Sequence, residues 1–541
     1  MIFKSLTSYR IAITPLSPIH IGCGDIYEVT NSVLDSKKHL LYFFNPTKVR
    51  LLPSTVKSMT SAVMAEKGST VAKFFRDNAN EFRPWSEHIV PVDDGCVEKY
   101  DGMFAREGAI FELYRTAYEV SSEGFCPYIP GSSLKGAIRS ALADRINNGK
   151  KFDVKDIKDK WRKDREQRSY VDRELFKISS GGFGNSPLRF LKVSDLHVQH
   201  KAFSVLTYAR TAYRYYKRNG FDRCKKFYIC SEVIEPGQYR AFRGDVSISK
   251  APANSKNPNV SILQEFVYQD IQNVMRDLHS RSMKNWQKEV TWYREADAFW
   301  AKSMEFLLQG LAPQFAAGKC ALVRLGKNTG AESKVLTGDN VAQIEISHSE
   351  STFTEEKSET TTMFLIGRES PTGIGLPFGW ALCEVLDEKD SPSLVRFCEE
   401  IASKRKVSRV SLEEEWKQIE QQRQDQQKKI KEAKEKLVND RLAEEERKAE
   451  FESSSPLQQR VLQLLEKIDK AAIPIQPGGG IFREVKDLIN EEKEEVKSMT
   501  SSDKAWIVEK LFVPLKKKRV FDDSSAGKAL KKALNRFKGE Q

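Results

Sequence analysis

The segment Gly131-Ser132-Ser133-Leu134-Lys135-Gly136 opens a run of strong helix formers, Ala137 to Ala143. Its glycines let a ligand approach the backbone, its two hydroxyls and the amides of a helix start can hold phosphate oxygens, and Lys135 and Arg139 fall one turn apart on one face. This is anion-binding chemistry. It is not a P-loop, because Gly136 rather than Ser or Thr follows the lysine. An ordinary capped helix start accounts for the same residues equally well.

Ile19-His20-Ile21-Gly22-Cys23-Gly24-Asp25 is a second loop where backbone could meet a ligand. His20 could stack on a base or donate to a phosphate, although a histidine beside a strand is more often a structural hydrogen-bonder. Arg324-Leu325-Gly326-Lys327-Asn328-Thr329-Gly330, with Lys334 beyond, again sets basic side chains among glycines; a hairpin turn is the plain alternative. Tyr208, Arg210, Tyr213, Arg214 and Tyr215 to Arg218 interleave aromatics with bases, the mixture that single-stranded RNA needs for stacking and charge neutralisation. Such aromatics are also common in strand cores. The glycines at 373, 375 and 379 lead into a strand rather than a helix, which argues against a dinucleotide fingerprint.

Signals for catalysis are poor. No nucleophile elbow, His-Glu-x-x-His pair or metal-binding Asp cluster is present, and Asp25 is the lone acidic residue inside a glycine loop. The eight cysteines lack paired spacing and His197 and His200 are the nearest of seven histidines, so a zinc site is not expected. The reading is of a protein without catalytic residues, metal or cofactor.

These loops need elements to hold them. Tyr9 to Thr14 alternates as a half-buried strand does, with Pro15 and Pro18 breaking the ladder. Val29 to Phe44 predicts a hairpin about Asp35-Ser36-Lys37-Lys38, 54–82 helices, 150–178 a polar helical insert, and 189–196 a strand. Strands are predicted across 202–249, one or two long helices over 261–310, then strands at Ala321, Thr362 and Trp380. Strands and helices alternate without a doubly wound order, so the class is α+β. From Ser411 to Phe451 charged residues dominate and apolar ones are too sparse for a heptad seam, which predicts a solvated helical arm. After Ser453-Ser454-Ser455-Pro456, the amphipathic positions Val461, Leu464, Ile468, Val485 and Leu488 predict a small helical domain with a basic end.

Lys and Arg number 88 against 75 Asp and Glu, a formal charge of +13, and 40% of residues are hydrophobic. That apolar content excludes a disordered chain, and the charge points to a polyanion or an acidic protein as partner. No run of about 18 apolar residues occurs, so no spanning helix is expected. With no secretory leader read at Met1 to Arg10, a cytoplasmic location follows.

Together the segments Pro15-Leu16-Ser17-Pro18-Ile19-His20-Ile21-Gly22, Tyr128 to Arg139, Leu191-Lys192-Val193-Ser194-Asp195 and Gly379-Trp380-Ala381 resemble the RAMP superfamily of CRISPR effector proteins. Within it, the chain is most similar to the subunits that cap type III-A (Csm) complexes at the crRNA 3′ end. The resemblance covers about residues 8–390. It implies two ferredoxin-like, RRM-type modules with helical insertions, over 1–200 and 201–400, followed by a charged arm at 404–455 and a basic helical domain at 456–541. It further implies crRNA and other type III effector subunits as partners, with host ribonucleases as candidates for crRNA trimming, and no membrane. The RNA-binding set is then His20, Gly22, Gly24, Gly131, Ser132, Ser133, Lys135, Gly136, Arg139, Arg214, Arg324, Lys327 and Lys334. The rival readings are a metal-dependent endoribonuclease using Asp25 and His20, a target-cleaving type III backbone subunit, and a scaffold defined by its arm.

Overall fold

Tyr9 to Thr14 lie in the central strand, Leu6–Pro15, of a six-stranded sheet, where 11–15 are buried on both faces rather than half-buried as the alternation predicts. The protein is represented by a computed structural model, which describes residues 6–104, 112–121, 124–150, 175–176, 186–199, 202–214, 224–249, 267–337, 344–347, 354–357, 359–367, 375–387, 389–404, 409–476, 478–490, 493–521 and 524–539. The insert expected over 150–178 lies almost wholly outside them, as do Tyr215 to Arg218 and Gly373. The chain divides into two units, Met1–Lys428 and Lys429–Gln541.

In the first sheet, Leu6–Pro15 lies between Phe242–Ser249 and Trp380–Val385, antiparallel to both. Leu191–Val193 and His197–Val198 pair beyond Phe242–Ser249, and Cys320–Arg324 pairs beyond Trp380–Val385. In chain order, Leu6–Pro15, the helix Gly131–Asn147, the two short edge strands, Phe242–Ser249, the helix Ile271–Ala296 and Trp380–Val385 form a βαββαβ unit, the ferredoxin-like arrangement, with Cys320–Arg324 added at the edge. Side-chain period sorts the faces. Ile11, Ile13, Val323 and Cys383 join Leu134, Ile138, Val274 and Leu278 of the two helices in one core. Leu322, Trp380 and Leu382 face the other way, into a second core with Trp286, Trp300 and Phe397.

A second six-stranded sheet runs Leu376–Pro377, Thr362–Ile366, Ser204–Tyr213, Cys224–Ile234, Leu113–Thr116, Gly22–Tyr27. Both large sheets take strands from either side of residue 200 and so interleave along the chain. The α+β class holds, and beyond residue 409 every described element is a helix. Among the described residues no helix is long and apolar enough to cross a membrane.

The hairpin expected over 29–44 forms as Ser32–Asp35 and Leu40–Phe44, and Ser86–Pro91 adds a third strand. This small sheet corrects the reading of the charged arm as solvated for its first part, whereas over 431–450 the helix is exposed at nearly every position, as expected. Within the first unit, Glu415 of the helix Arg409–Ser453 is buried, accepting from Tyr42 Oη at 2.9 Å, Lys38 Nζ at 2.8 Å and Arg83 Nη2 at 3.3 Å. Arg423 donates to the carbonyls of Pro84 and Ser86, and Ile419 is fully buried. Sparse apolar residues suffice here because hydrogen bonds to a preformed edge supplement them.

The second unit closes its own core. Val461, Leu464 and Ile468 of Pro456–Lys470, Phe482 and Val485 of Gly480–Leu488, Ile507 and Leu511 of Ser501–Lys517, and Leu530 and Leu534 of Ser525–Lys538 are all buried together. Ser455 and Gln458 form a capping box at its entry.

Gly379 holds the start of the Trp380 strand at φ 89°, where an added Cβ would stand 2.4 Å from the Leu325 carbonyl oxygen. Gly379→Ala is expected to destabilise the protein by roughly 2 kcal/mol or more. Gly136 lies inside a helix with open space around the position a Cβ would take, nothing standing within 4 Å of it, so Gly136→Ala is expected to stabilise by about 0.5–1 kcal/mol. Urea unfolding followed by tryptophan fluorescence reads both signs.

Candidate nucleic-acid interface

Three segments far apart in sequence meet at one end of the first sheet. Pro18 accepts from the Gly379 amide at 2.8 Å, Gly379 accepts from the Leu325 amide at 2.8 Å, and the His20 carbonyl accepts from the Lys327 amide at 2.8 Å. Gly326, at φ 89°, passes so near that a Cβ would sit 2.3 Å from the His20 oxygen. Gly22 is covered by the Lys327 side chain itself, whose Nζ would be 2.6 Å from a Cβ there. Lys327 and Lys334 are exposed, as are Cys23, Gly24 and Asp25. The result is a glycine-lined surface carrying lysine ammonium groups, suited to contact with phosphate oxygens.

A ladder of backbone bonds leads from there to the second patch: Ala117 donates to Ile21, Tyr128 donates to Ala117, and Ile129 exchanges bonds with Leu196. Gly131 follows, tucked where a Cβ would lie 2.5 Å from the carbonyl oxygens of Val193 and Ser194. Here the structure corrects the phosphate-cradle reading of the helix start. The Gly131 amide donates to the Asp195 carboxylate at 2.7 Å and the Ser133 amide to the Pro130 carbonyl at 2.8 Å, so the carboxylate already occupies the positive end of the helix. The remaining candidate groups are lateral. Ser132 and Gly136 are exposed, Ser133 is half-buried, Lys135 donates to the Leu191 carbonyl at 2.7 Å, and the Arg139 guanidinium lies over Phe176 at 5.6 Å. Burial lowers the Lys135 ammonium below its ordinary value.

Arg214, Arg324 and His20 do not belong to this surface. Both arginines are buried against Glu289, with Arg324 Nη1 at 2.8 Å and Arg214 Nη2 at 2.6 Å from its two oxygens. Tyr293 also donates to Glu289, Trp380 Nε1 donates to Tyr293 at 3.1 Å, and Arg214 reaches Glu332 at 3.3 Å. Charges so placed are neutralised inside the protein and are not available to RNA. The His20 ring is buried with Nδ1 2.8 Å from the Glu232 carbonyl, while Asp25 is on the surface. Burial lowers the His20 imidazole, and the nearby Glu232 carbonyl only partly opposes that.

Sequence reasoning missed the carboxylates that make this order. Glu232 is buried, accepting from Ser204 Oγ at 2.7 Å, Tyr27 Oη at 2.9 Å and the Thr116 amide at 3.3 Å, with His88 Nε2 at 3.4 Å. Arg281, Asn285 and Glu289 fall on the apolar stripe of Ile271–Ala296 with Leu278 and Tyr293, a helical spacing that marks them as buried polar groups needing partners. A cleft of about 870 Å³ lies elsewhere, and the four carboxylates in its lining, Asp93, Asp94, Glu235 and Asp297, outnumber Lys404 and His39, the wrong balance for phosphate.

Arg324→Leu is expected to cost roughly 3–5 kcal/mol by leaving Glu289 buried with one cation fewer, whereas Lys327→Ala at the exposed rim is expected to stay within about 0.5 kcal/mol. The pH dependence has two parts. Burial lowers His20 below 6.5 and His279 to about 4, so the unfolded chain binds those protons first and stability falls as the pH drops from 6.5 toward 4. Burial raises the Glu232 carboxyl, but bonds from His88, Ser204 and Tyr27 overcome it and hold it at about 2; that contribution is complete above 4.5 and is lost between 4.5 and 2. Thermal unfolding over this range checks both windows.

The RAMP superfamily matches residues 12–331. No curated protein matches the sequence. Among solved structures, one similar chain comes from a cryo-electron microscopy structure of a Csm–crRNA–target RNA ternary complex of a type III-A CRISPR-Cas system, at 16% identity and a TM-score of 0.42, covering 70% of this chain and 100% of that one. Csm5 of T. onnurineus is another, at 15% identity and a TM-score of 0.36, covering 69% and 100% respectively. The superfamily match takes in the end of the central strand, the whole Gly131 helix and Lys327, more than half of the sequence, and the chain belongs to the RAMP superfamily.

Proposed function

We infer that the protein is a non-catalytic RNA-binding subunit of a type III-A CRISPR effector complex, holding the 3′ region of the crRNA and capping the backbone filament. One observation carries this reading: the loops at 18–25 and 326–334 interlock so that Lys327 lies over Gly22 beside the open Gly24, and a buried backbone ladder ties them to the Lys135 and Arg139 helix. Such a surface grips phosphates without reading bases, which suits a subunit that must accept any guide sequence. Membership of the RAMP superfamily supports it. Neighbouring effector subunits are its protein partners in this reading, and crRNA trimming falls to a host ribonuclease.

The test is binding of a labelled crRNA by the full-length protein with Mg²⁺ at about 50 and 200 mM salt. Lys135→Ala/Arg139→Ala/Lys327→Ala is expected to weaken binding at least about tenfold and to flatten the salt slope by about 2, with the RNA recovered intact. RNA cleavage abolished by Asp25→Asn would replace the reading with the endoribonuclease, and unchanged affinity of the triple variant would remove its RNA surface.

A further inference from the structure

The second unit carries a charge pattern that folding explains only in part: Lys516, Lys517 and Arg536 lie in last turns, where the helix dipole favours a cation, but Lys528, Lys531 and Lys532 do not. In the helix Ser525–Lys538, Leu530, Leu534 and Phe537 are buried, while Lys528, Lys531, Lys532 and Arg536 are exposed or half-exposed away from that core. Lys516 and Lys517 end the helix Ser501–Lys517 packed against it. None of these six has a carboxylate partner among the described residues, although other cations of the unit do: Arg460 with Asp487, Lys467 with Glu484, Lys510 with Glu450.

Three features of this face oppose helix stability. Lys528 and Lys532, and Lys532 and Arg536, are like-charge pairs at i, i+4. Lys528 lies in the first turn, where the helix dipole disfavours a cation and where no acidic residue stands. The helix Arg409–Ser453 shows the contrasting solution, neutralising its cations with Arg441–Glu445 and Lys448–Glu444 pairs. A cationic face kept despite this repulsion, on a helix whose apolar side is already buried, has no side left to insert into a lipid surface. It fits a polyanion with evenly spaced charges.

We propose that the second unit is a separate nucleic-acid-binding domain, whose Lys516, Lys517, Lys528, Lys531, Lys532 and Arg536 neutralise a phosphodiester backbone without reading sequence. This goes beyond the crRNA surface of the first unit and does not rest on it.

The unit closes its own core, so the fragment 429–541 can be tested beside the full chain. Labelled single-stranded RNA and a duplex DNA of equal length are the probes, and the stronger binder identifies the natural ligand. The fragment is expected to bind at about 50 mM salt, and Lys528→Gln/Lys531→Gln/Lys532→Gln/Arg536→Gln to weaken it at least about tenfold, with the salt slope reduced by up to about 3. Circular dichroism checks that the helices persist, and Lys516→Gln/Lys517→Gln on the neighbouring helix gives a second, smaller loss. Absence of binding to both probes, equal affinity of the variants, or retention only by a polyglutamate column would overturn the proposal.

Discussion

The first unit depends on one buried carboxylate. Glu289, from the middle of the Ile271–Ala296 helix, is shared by Arg324 at the end of a strand in one sheet and Arg214 just past a strand of the other. Removing a carboxylate and two guanidinium groups from water is unfavourable, and it is offset because both Glu289 oxygens are met by a guanidinium, although Arg214 Nε and Glu332 Oε2 are buried without a hydrogen bond among the described residues. Tyr293 and Trp380 complete one side, and Glu332, itself bonded by Thr360, completes the other. Burial raises the Glu332 carboxyl, but Arg214 and the Thr360 bonds outweigh it and keep the carboxyl below its ordinary value.

That knot fixes where the candidate loops go. Arg324 and Glu332 bracket the segment carrying Lys327, so pinning both ends leaves the lysine loop a short, defined path over Gly22. Glycine is needed at 326 and 379 for a different reason than at 131. The first two carry positive φ and pass carbonyl oxygens closer than a side chain allows, whereas Gly131 has only the close approach. The common logic is physical: rigid interlocked backbone presents a few long cationic side chains, which in the proposed RNA-binding role preorganises the surface and leaves the ligand sequence unspecified.

Much of this is legible in the sequence. Alternation marks the Leu6–Pro15 strand, glycine clusters mark the loops that meet, and helix formers after Gly131 mark the helix that borders them. Local patterns do not reveal where a charge is buried. Arg214 and Arg324 look like ligand-facing cations beside turns, because the carboxylate that claims them stands 75 and 35 residues away. Asp195, which occupies the start of the Gly131 helix, is 64 residues downstream of it, and Glu415 meets Lys38 across 377 residues. Periodicity reports which face is covered, not by what, and a charged arm docked through polar groups therefore reads as a solvated one.

The most direct measurement is cross-link mapping of the full-length protein with crRNA carrying photoreactive uridines, identifying the attached peptides by mass spectrometry. The account predicts attachment within residues 18–25, 131–139 and 326–334 when the 3′ portion carries the label. Cross-links confined to the acidic cleft around Asp93 and Asp297, with those three segments unmarked, would contradict it.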